Sequence, residues 1–165
     1  MAASPKKQLS LDTNVLLDFA RGRDFAHEFR EEFQRRGYSL LLAPTVLAEL
    51  EYLLTFGTGS ERALALKASE KGEVWQLTAF DLPEVRLTLA EHFARGLQDR
   101  NLVPLDEFND GLILAESSLA EIPLLVTSDK HLLGIDEEAL MLAFNEADLL
   151  PVHPVHPKRL LAALR

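Results

Sequence analysis

PLLVTSDK, residues 123–130, reads as a buried strand that ends in an acid. Leu124 to Thr127 is an aliphatic and β-branched run too short for a helix, and Ser128-Asp129-Lys130 breaks it. The same arrangement stands near the start of the chain, where QLSL (8–11) is followed by Asp12-Thr13-Asn14. Helical and strand patterns alternate around these two runs, and that alternation predicts a parallel sheet covered on both faces. VLLDFA (15–20) is a short helix, and residues 24–36 form an amphipathic one with Phe25, Phe29 and Phe33 on one stripe, stopped at Gly37. Leu40-Leu41-Leu42 is a second buried strand. Pro44 opens a helix to Phe56, before Gly57, and another helix runs from Ser60 to Lys71, before Gly72. EVWQLTA (73–79) reads as an edge or connecting strand. Further helices are expected over 83–97 and 106–120, a last strand near 149–153, and a terminal helix from Pro157 to Leu164. The expected architecture is a three-layer α/β/α sandwich with a central, mostly parallel sheet, one domain over residues 1–165.

Composition narrows the classes without choosing among them. The 165 residues are 47% hydrophobic and 26% charged, ordinary for a globular chain able to bury its own core. No cysteine is present, so neither a disulfide framework nor a thiolate metal site can form. No apolar run approaches the ~20 residues of a membrane span, and MAASPKKQLS lacks the apolar stretch of a signal peptide. A cytoplasmic location is the expectation. The net charge of −9, from 26 acidic and 17 basic residues, argues against a sequence-indifferent nucleic-acid coat. It leaves room for an enzyme whose carboxylates bind a divalent cation, because the cation restores attraction to phosphate.

Ligands of open parallel sheets bind beyond the carboxyl ends of the strands. Asp12 and Asp129 occupy that position on their respective strands, although either could equally be a helix cap. Asp110 lies on a helix with apolar residues on more than one side, Phe108, Leu112, Ala115 and Leu119 on one and Ile113 and Leu114 near the acid. A carboxylate there requires a metal or a distant arginine as its counter-charge. Asp106 reads as the N-cap of this helix. Glu49 and Glu51 border the apolar stripe Val46, Leu47, Leu50, Leu53 and Leu54 on opposite sides, and spacing alone does not choose between them.

Five segments resemble PIN domains in their order: LSLDTNVLLD (9–18), PTVLAELEYLL (44–54), NDGLILAES (109–117), LLVTSDKHL (124–132) and LLPVHPVHPKRLLAAL (149–164). The resemblance covers about residues 8–164; the stretch 73–105 carries no matching motif. It implies a PIN-like fold and an acidic metal-binding set of Asp12, Glu49, Asp110 and Asp129, which selects Glu49 over Glu51. It further implies Thr127 or Ser128 as a group orienting water, Asn14 as a support of the first loop, and Mg²⁺ or Mn²⁺ as cofactor for cleaving RNA phosphodiesters. Bacterial members include VapC-type toxins held inactive by a small antitoxin.

All-oxygen ligands independently favour Mg²⁺ or Mn²⁺ over zinc. Arg21, Arg23, Lys130 and His131 follow the proposed catalytic loops and are candidates for phosphate contact. His153 and His156 read as structural, and Phe25, Phe29, Phe33 and Trp75 as core. The apolar helices near 44–71 exceed what a small core needs, which predicts a homodimer. The competing readings are a PIN-like binding module without turnover and a receiver-like phosphoacceptor. The second fits poorly, because Asp12 is followed by Thr-Asn rather than by another acid.

Overall fold

The computed structural model describes residues 6–165; the N-terminal MAASP, on which part of the signal-peptide expectation rests, lies outside them. Five short apolar runs form the strands β1 (Gln8–Leu11), β2 (Ser39–Leu42), β3 (Leu77–Ala79), β4 (Leu124–Val126) and β5 (His153–Val155). They pair in the order β3-β2-β1-β4-β5, every pair parallel. Leu9, Ser10 and Leu11 are all at most 1% exposed, so the central strand is covered on both faces, as a three-layer α/β/α sandwich requires. Chain connections leave β1 toward β2 and return from β3 to β4. The junction of β1 and β4 is therefore the point where the winding reverses and a crevice opens.

Nine helices among the described residues connect and cover the sheet: α1 (Thr13–Ala20), α2 (Asp24–Arg35), α3 (Pro44–Phe56), α4 (Gly59–Lys71), α5 (Glu84–Asp99), α6 (Phe108–Leu119), α7 (Lys130–Leu133), α8 (Glu137–Glu146) and α9 (Pro157–Ala163). Local chemistry sets most of their ends. Pro44 occupies the first turn of α3, and Thr58 and Glu61 form a reciprocal capping box on α4. Gly37 leaves α2 with φ +89°, a conformation side-chain-bearing residues avoid. Gly111 lets α6 lie against α5: a Cβ there would meet Ala94 Cβ at 3.0 Å and its Cα at 3.2 Å.

The structure corrects several expectations. In 73–79 only Leu77–Ala79 is strand, because Trp75 turns inward, 6% exposed, and Gln76 takes φ 57°. The last strand is His153–Val155, not 149–153, and α7 and α8 occupy a stretch to which no element was assigned. Residues 105–107 form a single 3-10 turn, so Glu107 rather than Asp106 precedes α6, and neither caps it through a side chain. The expected apolar stripe of α6 is not its deepest side. Of that stripe only Ala115 is fully buried; Phe108, Leu112 and Leu119 are half-buried, whereas Ile113, Leu114 and Ser117 are fully buried. Phe29, Phe33 and Trp75 are core; Phe25 is half-buried between the His156 ring and the Lys158 ammonium.

Candidate active site

Asp12 follows β1 with extended backbone and accepts the Thr13 N–H at 2.8 Å as the N-cap of α1. Asp129 follows β4 in the same way and caps α7 through the His131 N–H at 2.8 Å. A cap does not exclude a second role for either acid, since capping uses only Oδ1 of each. The parallel register pairs Leu11 with Val126, which sets Asp12 opposite Thr127 on the neighbouring strand. The Thr127 hydroxyl donates to Asp12 Oδ2 at 2.7 Å, and Asn14 Nδ2 donates to the same oxygen at 3.2 Å. Asn14 also binds across the crevice, its Oδ1 accepting the Ser128 N–H at 3.0 Å.

Asp110 in the first turn of α6 completes the group: Asp12, Asp110 and Asp129 each offer an oxygen within 4.8 Å of the others. These three, with Asn14 and Glu49, line a cavity of about 740 Å³ whose other walls include Leu17, Ala48, Tyr52, Leu53 and Leu112. Glu51 is exposed and does not line it; Glu49 does, with its Oε1 accepting the Thr13 hydroxyl at 2.7 Å. The electrostatics are unfavourable without a cation. Burial above all, then Glu49 and Asp129, raise Asp12 to about 6 against the lowering effect of the Thr127 and Thr13 hydrogen bonds. Burial, the Asp12 charge and a proton shared with Glu107 push Asp110 up to about 9. No lysine or arginine lines the cavity among the described residues. Hard oxygen donors, mutual repulsion and no cationic side chain fit a divalent metal of the Mg²⁺ or Mn²⁺ type.

Other expected residues lie elsewhere. Thr127 is fully buried, its hydroxyl donating to Asp12 and accepting the Asp129 N–H at 3.0 Å, so it orients an acid rather than a water. The Ser128 hydroxyl turns to Asp18 at 2.9 Å. Arg21 sits against Asp18 at 3.5 Å and lines a separate notch with Arg23 and Lys158, while exposed Lys130 and His131 stand outside the cavity. His153 and His156 begin β5 and cap α9, as structural residues do.

Two acids escaped the sequence reading. Glu107 stands one helical turn before Asp110, and its Oε2 is buried with no partner except a protonated Asp110. An acid three residues before Asp110 was the available signal. Glu116, 3% exposed, accepts both the Thr45 N–H (3.0 Å) and the Thr45 hydroxyl (2.7 Å), fastening the start of α3 to α6. Burial raises its pKa against those bonds. Thr45 lies one turn before Glu49, so this clamp sets where Glu49 stands relative to Asp110. Glu116→Ala is expected to cost about 1–3 kcal/mol in urea unfolding, from the stranded Thr45 donors, and to weaken Mn²⁺ binding in calorimetry. Unchanged Mn²⁺ affinity would reduce Glu116 to a stability residue.

Fold and site together define an α/β protein with a carboxylate centre at the reversal point of a parallel sheet. A PIN domain family model matches residues 9–138, most of the chain, and the chain belongs to that family. No curated protein matches it by sequence. Among solved structures it is similar to VapBC2 from Rickettsia felis (TM-score 0.61, 19% identity, 90% of this chain and 98% of that one). It is also similar to VapBC-1 from nontypeable Haemophilus influenzae (TM-score 0.58, 15% identity, 92% and 98%). FitAcB from Neisseria gonorrhoeae follows at TM-score 0.53, 16% identity, 90% and 97%. At these identities the neighbours show the fold alone.

Proposed function

We propose that this chain is a divalent-metal-dependent endoribonuclease, the toxin of a toxin–antitoxin pair. The observation that carries the reading is the gathering of Asp12, Asp110 and Asp129 within 4.8 Å, in a cavity that no cationic side chain lines among the described residues. Membership of the PIN domain family and the likeness to VapBC and FitAcB assemblies support it. By the same likeness the inhibiting partner is a small antitoxin. Bound to these acids, Mg²⁺ or Mn²⁺ would supply an acidified water and stabilise charge on the phosphate during in-line attack.

The chain's own residues prepare that chemistry. Thr127, Asn14 and the Thr13 amide fix both oxygens of Asp12. The Thr13 hydroxyl aims Glu49 from the facing helix. Leu17 and Leu112 form part of an apolar wall that limits bulk water. Arg21 and Lys130 would meet phosphates beyond the cavity rather than the scissile one.

The test is cleavage of labelled single-stranded RNA by wild type and Asp12→Asn, with and without EDTA. Wild type should need added Mg²⁺ or Mn²⁺, and Asp12→Asn should be at least about a hundredfold slower, as expected when one preorganised charge group is lost. Cleavage that survives EDTA, or equal rates, would leave a binding module as the reading.

A further inference from the structure

Thr45, Glu49, Tyr52 and Phe56 recur along α3 at spacings of four, three and four residues, which puts them on one face within about 60°. The row begins at the Glu116 clamp, passes the acid facing Asp12 and ends in two aromatics. Tyr52 lines the same cavity as the carboxylates yet is 62% exposed, and Phe56, 71% exposed, lies against it with ring centroids 5.2 Å apart. Tyr52 stands only about 4.5 Å along the helix axis from Glu49. Two aromatic rings in contact on the wall of the carboxylate cavity give it a flat apolar face open to a ligand.

We infer that Tyr52, backed by Phe56, is a stacking platform for the nucleobase next to the phosphate presented to the carboxylates. This rests on the ribonuclease reading and names how its substrate is held. Continuity identifies the occupant, because a strand whose phosphate reaches Asp12 and Asp110 must bring its neighbouring base against this wall. Charge points the same way. Among the described residues the cavity itself offers no lysine or arginine, so the nucleotide at the carboxylates has no ion pair within the cavity to hold it. Stacking on an aromatic face needs no charge, is worth about 1–3 kcal/mol per base and tolerates any base. Single-stranded RNA, with bases free to splay out, is the form that fits.

The experiment compares binding of a fluorescent oligouridylate with that of an abasic ribose-phosphate strand of equal length, by anisotropy in Mn²⁺ at low temperature. Wild type should prefer the oligouridylate by roughly 5- to 150-fold, the ratio that about 1–3 kcal/mol gives, and the preference should change little with salt. Tyr52→Ala should abolish it, and Tyr52→Trp should keep it. Calorimetric Mn²⁺ affinity should be the same in all three proteins, which separates loss of the platform from loss of the fold. Wild type that binds both strands equally overturns the platform. So does a Tyr52→Ala, Phe56→Ala protein that changes from dimer to monomer by light scattering while keeping the oligouridylate preference, because the face then belongs to a second copy. A preference lost in Tyr52→Ala, in a wild type that cleaves no RNA, upholds the platform and removes the nuclease reading instead.

Discussion

Asp110→Asn is expected to make the metal-free protein more heat-stable while reducing metal-dependent RNA cleavage by at least about 10³-fold. Both effects have one cause. Burial first, and then the neighbouring Asp12, Glu107 and Asp129, push the Asp110 pKa up to about 9. At pH 8 folding therefore takes up a proton that the unfolded chain does not hold, and that uptake works against the fold. An amide at this position is neutral throughout and offers a donor to Glu107 Oε2, which otherwise depends on protonation of its neighbour. Discounted for the water Asp110 still meets, the gain should be about 2–3 kcal/mol at pH 8. That corresponds to roughly 5–10 °C in Tm for a chain of this size. The same substitution removes a charge from the group that would bind the cation. A variant no more stable than wild type in EDTA at pH 8 would mean that these carboxylates do not repel one another in the metal-free protein.

This opposition between stability and site explains what could be read from the sequence. β1 and β4 were legible because each is a short apolar run ended by a polar cluster, and the acids after them were legible for the same reason. Their adjacency was not, since strand order depends on packing between distant elements; it became known only from the pairing of Leu11 with Val126. The start of α3 follows from Pro44, whose fixed φ suits a first turn, and its end from Gly57, where a Cβ would run into the Leu53 carbonyl oxygen. PVHPVHP was harder. Three prolines argue against a strand, yet β5 lies at the sheet edge, and its bonds beside β4 run through the His153 N–H and the Val155 carbonyl. Pro154 therefore leaves no needed donor missing. The stretch 130–148 hid α7 because it is a single turn of four residues, whereas α8 does carry a legible signal, an Asp136 cap followed by Leu140, Ala143 and Phe144 at helical spacing.

The site divides in a similar way. Asp110 could be singled out because it stands within an apolar helix, and Asp12 and Asp129, each alone an ordinary cap position, because both stand at the carboxyl end of a strand. The supporting residues could not. Glu116 is a charge inside LILAESSLA, and only the coordinates show its two oxygens closing on Thr45. Thr127 likewise reads as a group for water until its hydroxyl is seen bonded to Asp12. A residue that acts by holding another one reveals its role through its partner, and partners distant in sequence are set by the fold.

Added Mn²⁺ should stabilise the wild-type protein, and by more at pH 8 than at pH 6. Asp12 and Asp110 both have folded-state values above their ordinary 3.8, at about 6 and about 9. Their contribution to stability is therefore complete below about pH 4 and is lost as pH rises. The loss from Asp12 is finished near pH 6, while that from Asp110 continues toward pH 9. A cation binds the deprotonated carboxylates and must displace these protons, so its affinity climbs through the same window. At one hundred times its dissociation constant it adds about 2.7 kcal/mol, or roughly 5–10 °C in Tm. The metal-free wild type should thus lose Tm steadily from pH 5 to 8, with Mn²⁺ restoring most of the loss at the alkaline end. Asp110→Asn should show a flatter pH profile and a smaller Mn²⁺ shift, because the negative charge that repels Asp12 and would attract the cation is gone. Thermal scans across pH, with and without Mn²⁺, decide the matter. Parallel pH profiles for wild type and Asp110→Asn, or a Mn²⁺ shift independent of pH, would show that Asp12 and Asp110 do not interact and do not share one ion.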